Sequence, residues 1–319
     1  MLKRRLIIYL VAIAVSLSIV ATAVSCTEPS LPTGEEMIEF TDALGRKVSV
    51  NKNPARVAAL LGSFADVWML SGGTLCAAAE DAWEDFGLSL GDAVNIGGAH
   101  SPSLELLILS DPDLVIASAS TASNLDMKDP LEAMGITVAY FEVDNFEDYL
   151  YMIGICTDIT GRKDLFEQNG LAVKKEIDAI KYRLASANLP ENEKKILLLR
   201  ASSTSVKAKS SRGTVLGEML SDLGCINIAD SHSGLLEDLS VEEVIKEEPY
   251  RIFVVTMGSD TEAAKASLEN MIKENPAWST LSAVKCERLY LMEKRLFNLK
   301  PNARWAESYG ILYEKLTEK

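Results

Sequence analysis

Two histidines and one basic loop are the side chains best able to hold a charged or metal-bearing partner in this chain of 319 residues. His100 lies in "NIGGAHS", residues 95–101, and His232 in "NIADSHS", residues 227–233, at the same place in two similar strings. Imidazoles brought to the two sides of one gap could ligate a haem iron or touch a metal complex. A lone loop histidine otherwise serves as an ordinary hydrogen-bonding residue. The second feature is "SSTSVKAKSSRG", residues 202–213, which holds Lys207, Lys209 and Arg212 without one acid among them. Cations so placed would pair with carboxylates, catecholates or haem propionates. A solvated basic loop is the plain alternative. Arg295, Lys300 and Arg304 follow later in the chain and could add to the same field.

Catalytic chemistry has little to stand on. There is no G-x-S-x-G elbow, no H-E-x-x-H and no Gly-rich phosphate loop. A surface-tethered hydrolase, the competing class, would rest on His100 or His232 alone, so the chain is expected not to be an enzyme. Two histidines are also too few for the three or more His and carboxylate ligands that enclose a bare zinc or manganese ion, and no resident metal or cofactor is expected. Trp83, in "EDAWEDFG", is the aromatic best suited to stack on a flat or apolar ligand, whereas Trp68 in "DVWML" reads as core.

The chain opens with Lys3, Arg4 and Arg5, then runs from Leu6 to Val24 with nothing more polar than Tyr9, Ser16, Ser18 and Thr22. Such a run is long enough to span a bilayer. Basic n-region, apolar h-region and the small residues Ala23-Val24-Ser25 before Cys26 also describe a secretory signal. The join resembles a bacterial lipobox, with Ala23 where a Leu is usual. Residues 1–25 are therefore expected to be a signal peptide, Cys26 the lipidated residue and residues 26–38 a polar, proline-dotted tether. An uncleaved anchor is the alternative, and both place the bulk of the chain outside the cytoplasm. Acyl chains contribute about 0.8 kcal/mol per buried methylene, so two or more hold a protein stably at a membrane. Cleavage removes three basic residues and no acid, taking the formal charge from −14 to −17. A chain so acidic is repelled by nucleic acid. Cys76, Cys156, Cys225 and Cys286 show no C-x-x-C spacing and read as buried free thiols.

The elements that must position these residues come in two similar sets. "SLELLILSDPDLVIAS", residues 103–118, reads as a short helix, an Asp-Pro break and a buried strand; "SVEEVIKEEPYRIFVVT", residues 240–256, repeats it. Ser103, Glu105 and Pro112 align with Ser240, Glu242 and Pro249, each Ser a candidate helix cap. Upstream, "RVAALLGSFADVWMLSGG" (56–73) and "KILLLRASSTSVKAKSSRGTVLGEMLSDLGC" (195–225) each give strand, loop and helix, with Asp66 and Glu218 six residues before Gly72 and Gly224. Strands alternating with helices twice over predict an α/β fold of two lobes, each a mainly parallel sheet flanked by helices with its own core. Between them Val173, Ile177, Ile180 and Leu184 recur at four, three and four, one apolar face of a single long helix joining the lobes. The expected divisions are an N-terminal lobe over 39–160, the interlobe helix over 161–190 and a C-terminal lobe over 191–319. In such sheets ligands sit at the carboxyl ends of the strands, here a cleft between lobes.

The stretches "FTDALGRKVSVNKNPARVAAL" (40–60), "PSLELLILSDPDLVIA" (102–117), "MGITVAYF" (134–141), "NPAWSTLSAVKCERLYLM" (275–292) and "LFNLKPNARWAESYGILYEKL" (296–316) resemble the substrate-binding lipoproteins of ABC importers for ferric siderophores, haem and cobalamin. The resemblance implies two lobes joined by a long helix, little domain closure, and capture of a small-molecule metal chelate. The iron(III) complex is the cargo, most simply a ferric siderophore, with haem or cobalamin as alternatives. It also implies a monomer that works with an ABC permease and its ATPase, and one acid per lobe to dock on the permease, here Asp66 and Glu218. The expected ligand-binding set is Trp83, His100, Ser101, Lys207, Lys209, Arg212, His232 and Arg295.

Overall fold

The protein is described here by a computed structural model covering residues 36–258 and 260–318. The apolar run Leu6–Val24 and Cys26 lie outside the described residues; among those described, no helix is long and apolar enough to cross a membrane.

β1 (Met37–Thr41) and β2 (Lys47–Asn51) form an antiparallel hairpin. The N-terminal lobe is a parallel sheet of β3 (Val57–Ala59), β4 (Ala77–Ala78), β5 (Val94–Asn95), β6 (Leu114–Ser118) and β7 (Thr137–Phe141), in the order β5-β4-β3-β6-β7. The C-terminal lobe contains β8 (Lys195–Ala201), β9 (Val206–Ala208), β10 (Ile226–Asn227), β11 (Arg251–Thr256) and β12 (Leu289–Met292). Its parallel order is β10-β8-β11-β12, with β9 antiparallel on β8. The echoed segments take matching places. β6 and β11 are inner strands buried along their whole length. Each follows a short helix, Leu104–Leu109 or Val241–Glu247, capped by the predicted serine. Ser103 Oγ accepts from the Leu106 amide at 3.3 Å and Ser240 Oγ from the Glu243 amide at 3.4 Å.

The helix Phe146–Thr160 ends on Gly161, whose φ of 70° suits a residue without Cβ. The chain then enters a helix through residues 163–187, about 37 Å long at 1.5 Å per residue. Val173, Ile177, Ile180 and Leu184 are all buried on it, as the four-three-four spacing predicts. The sequence did not predict the π-helical turn Glu167–Leu171 inside it. That turn frees the Asn169 carbonyl to accept from Tyr149 Oη at 2.8 Å, while Asn169 Nδ2 donates to the Leu70 carbonyl at 2.8 Å.

Two separate lobe cores were expected, but the largest core is shared. One cluster joins Phe64, Trp68 and Phe141 of the first lobe to Ile177 of the long helix and to Leu198, Phe253 and Met292 of the second. Smaller clusters sit on the outer faces of each sheet. The cysteines also depart from expectation in part. All four described cysteines are free, and Cys156 is buried with its thiol pushed up to about 12 by burial, but Cys286 is exposed.

Arg251, at the start of β11, is 1% exposed and meets no carboxylate among the described residues; its guanidinium donates to the carbonyls of Lys315, Glu193 and Leu316 at 3.0, 2.7 and 2.6 Å. It therefore ties the last turn of the helix Trp305–Thr317, where carbonyls lack helical partners, to the sheet. Arg251→Met is expected to lower unfolding free energy by about 3 kcal/mol, because one buried and two part-buried acceptors lose their donor at once. Arg304→Ala, which removes an exposed pair with Glu307, should change it by less than about 1 kcal/mol. Urea unfolding of the two variants checks the contrast.

Candidate functional site

Parallel strands carry their loops to one edge, and in both lobes that edge faces the interlobe gap. The N-terminal wall is built where β3 and β4 approach through alanines. Gly62 begins the helix Gly62–Leu70 directly against the turn Asp81–Glu84; a Cβ on it would stand 2.5 Å from the Ala82 amide nitrogen. The Gly62 amide donates to Asp81 Oδ2 at 2.9 Å. Trp83, half-buried, packs on Ala59, Ala65, Ala78 and Ala82. Burial raises the Asp81 carboxyl above the ordinary carboxylate range, against the Gly62 amide, which favours the charged form.

The C-terminal wall is cationic. Arg200 on β8 faces Lys207 on β9 in the antiparallel register, and the Lys209 amide bonds to the Leu198 carbonyl. Side chains alternate along a strand, so Arg200, Lys207 and Lys209 share one sheet face. Neighbouring strands place Arg200, Val255 and Met292 in one row on that face, with Met292 roughly 10 Å away, two strands over. Met292 lines a cavity of about 470 Å³ between the lobes, together with Glu84, Asp85, Thr256, Lys294 and Arg295. Among the described residues no carboxylate pairs with Arg200, Lys207 or Lys209, and Arg200 Nε is buried without a hydrogen-bond acceptor. Burial lowers the Arg200 pKa, and burial followed by the charges of Arg200 and Lys207 lowers that of Lys209. A bound anion would reverse both shifts.

Arg200 is missing from the residues expected from sequence. Its signal was a single charge inside "KILLLRA", a strand otherwise apolar and buried. Lys207 and Lys209 stand on this wall as part of β9 and the loop after it, while Arg212 is exposed on the turn before the helix Val215–Asp222.

The remaining expected positions divide between the two lobes. His100 and Ser101 are exposed in the loop after β5. His232 turns away from the gap. Its Nδ1 lies 3.1 Å from the Ile228 carbonyl and its Nε2 3.4 Å from Glu247 Oε1, and Glu247 also pairs with Lys195 at the start of β8, the strand end remote from the cleft. Among the described residues no group of three or more His, Cys, Asp or Glu side chains converges as a bound metal ion would require.

Asp66 and Arg295 meet each other across the lobes, with Arg295 also lining the interlobe cavity. Asp66, expected on the docking rim, accepts from Arg295 Nη2 at 3.1 Å and from Asn302 Nδ2 at 2.8 Å across the lobes. Arg295, expected to face a ligand, also donates to the Lys300 carbonyl at 2.7 Å and stacks over Phe86, 4.1 Å from the ring centre. The same segment supplies two further interlobe pairs, Lys294 to Asp85 at 2.7 Å and Lys300 to Asp144 at 3.6 Å. Asn302 holds the segment's turn at φ 56°, a conformation asparagine tolerates, and its Nδ2 reaches the Ser63 carbonyl at 2.9 Å. Four side chains between residues 294 and 302 therefore clasp the first lobe. Glu218, the other expected docking acid, accepts from the Gly213 amide at 3.2 Å and stays half-exposed.

Comparison with known proteins gives a consistent picture. The family described as "Periplasmic binding protein" matches residues 48–296. The putative ABC transporter substrate-binding lipoprotein YhfQ of Bacillus subtilis (strain 168) is 22% identical over 316 residues, covering 94% of this chain and 93% of that protein. The Fe(3+)-citrate-binding protein YfmC of the same organism is 27% identical over 258 residues, covering 76% of this chain and 75% of that protein. The crystal structure of Staphylococcus aureus SirA complexed with staphyloferrin B superimposes with a TM-score of 0.68 at 21% identity, covering 88% of this chain and 98% of that one. That likeness shows the shared two-lobed fold.

The clasp makes a prediction about pH. Burial raises the Asp66 pKa despite the opposing pull of Asn302 and Arg295. Arg295→Met removes the counter-charge, so the carboxyl rises further and the charged form is penalised. A folded pKa above the unfolded one means the penalty is full above the folded value and fades as pH falls through it. The variant should lose about 3 kcal/mol at neutral pH. Part should return on acidification or in the Asp66→Asn/Arg295→Met double variant. Urea unfolding from pH 8 to pH 5 checks it; a loss independent of pH would contradict it.

Proposed function

The chain belongs to the periplasmic binding protein family, a family of binding proteins and not of enzymes, and from that premise we propose that it captures a negatively charged ferric siderophore complex and delivers it to an ABC permease. The observation that carries the reading is the row Arg200, Lys207 and Lys209 on the sheet face that leads toward the interlobe cavity, where the half-buried Arg200 and Lys209 meet no acid among the described residues and the exposed Lys207 also borders the outer cavity of the second lobe. A cation desolvated without a partner is unfavourable unless an anion arrives. A ferric complex of carboxylate or catecholate ligands supplies that anion, and the relative named for Fe(3+)-citrate is in keeping with it. Iron enters already chelated, so the protein needs shape and charge and no first-hand metal ligands.

The reading extends to the whole chain. Residues 1–25 are a signal peptide, Cys26 carries lipid, and residues 26–38 tether lobes over 39–160 and 191–319, joined by the helix within 161–190, outside the cytoplasmic membrane. Docking on the permease and its ATPase falls to exposed acids on the cleft rim. With Asp66 engaged inside, the second echoed pair meets the requirement better: Glu105 and Glu242 are both exposed in the first turn of matching helices. Beside Glu105, Leu106 and Leu109 are 38% and 78% exposed, apolar surface that a partner would cover.

Titration of purified protein with ferric citrate and with a panel of ferric catecholates and hydroxamates, followed by tryptophan fluorescence, tests the proposal. Binding of at least one anionic ferric complex is expected, weakening as salt is raised. Arg200→Gln and Lys207→Gln are each expected to weaken it by about tenfold or more, the scale of a charge-assisted hydrogen bond. Binding of only neutral ligands, or of none across siderophores, haem and cobalamins, would overturn it.

A further inference from the structure

Of the ion pairs that join the lobes, one stands in the cleft itself. Lys294 Nζ lies 2.7 Å from Asp85 Oδ1, and both side chains line the interlobe cavity. The pair differs from its neighbour in how it is held. Arg295 and Asp66 are fixed by Asn302, by the Lys300 carbonyl and by Phe86. Among the described residues no further side-chain bond of Lys294 or Asp85 accompanies the single contact between them. Lys265, another cation on the cavity wall, is paired on its own helix with Glu262 at 2.7 Å. Lys294 and Arg295 both line the cavity and meet acids of the opposite lobe, but among the described residues only Lys294 is held there by a single side-chain contact.

Resting on the reading that the ligand is an anionic ferric complex, we infer that Asp85 is a specificity-determining residue that stands in for the ligand's own carboxylate. In the empty cleft it neutralises Lys294 across the gap. An arriving anion, drawn first to Arg200, Lys207 and Lys209, displaces the Asp85 side chain and takes over Lys294. Ligand affinity is then the difference between two carboxylate contacts to one ammonium. A neutral ligand offers Lys294 nothing to replace Asp85, so the pair stays closed and narrows the cavity against it. An anion with an oxygen in reach exchanges one ion pair for another at little net loss. Asp85 therefore discriminates by charge, at the expense of affinity for every ligand.

A double-mutant cycle read by titration with ferric citrate tests this, together with whichever ferric chelate binds the wild type best. Asp85→Asn removes the competitor and is expected to tighten binding on the order of fivefold, the upper range for a partly exposed pair. Asp85→Ser should shift affinity in the same direction. Lys294→Gln should weaken binding about tenfold. In the Lys294→Gln background, Asp85→Asn should change nothing, because Asp85 acts only through that ammonium. If Asp85→Asn and Asp85→Ser both weaken binding, the pair is a strut and the inference is wrong. Equal tightening with and without Lys294 also overturns it, since Asp85 would then act as a general negative charge. Failure of the wild type to bind any anionic ferric complex defeats the functional reading itself, a result separate from either of these.

Discussion

The two lobes keep their spacing through charge pairs that span the gap, and three of them come from one short segment. Lys294, Arg295 and Lys300 reach Asp85, Asp66 and Asp144 of the other lobe, and Asn302 closes the set on the Ser63 carbonyl. Isolated exposed pairs contribute little, but these are partly or largely buried and linked through Arg295 to Lys300. Breaking one member leaves a charge without its partner in a poorly hydrated place. Behind the clasp, the helix through residues 163–187 and the shared core resist relative motion of the sheets. Lobes tied at the floor by packing and at the mouth by ions present their loops at a fixed distance, and preorganisation of that kind reduces the ordering required on binding.

Charge is divided unevenly across that gap. Around the cavity the first lobe offers Glu84 and Asp85 and the second Lys265, Glu293, Lys294 and Arg295, with Arg200, Lys207 and Lys209 on the adjoining sheet face. Lys294 and Arg295 answer acids of the first lobe, whereas Arg200, Lys207 and Lys209 answer none. In a chain of formal charge −14, such a concentration of positive charge focuses anions toward the cleft while the rest of the surface repels them. A larger cavity, of about 840 Å³, lies on the second lobe alone between the β8–β9 turn and the helix Thr261–Glu274. It is not shared between lobes, and its wall carries three acids, Glu237, Asp238 and Glu274, against one cation, Lys207. The interlobe cavity is the better match to an anion.

Much of the fold was legible in sequence because it is written in local terms. Serine caps, an Asp-Pro break and a run of β-branched residues specify a helix followed by a buried strand wherever they occur, so the repeat at residues 103–118 and 240–256 announced two like sheets. The 3.6-residue period likewise exposed the apolar face of the long helix. The site was only partly legible, since its decisive contacts join residues far apart in the chain. Asp66 and Arg295 are 229 positions apart, and nothing near either one signals the other. Hence an acid and a base that each looked available turned out to be each other's partner. His232 misled for a similar reason. Its string matched that of His100, yet Glu247, on the following helix, draws the ring aside. Arg200 was overlooked although its signal was present, a lone guanidinium in an apolar strand near its carboxyl end.

Anomalous diffraction from iron in crystals grown with ferric citrate, or with a tighter-binding anionic ferric chelate, tests the central claim most directly. The account predicts one iron peak in the gap, between the row Arg200, Lys207 and Lys209 and the turn Asp81–Glu84, with the Arg295–Asp66 pair intact and the lobes unmoved. A peak in the outer cavity of the second lobe, or a bound state with Arg295 and Asp66 pulled apart and the lobes rotated, would contradict it.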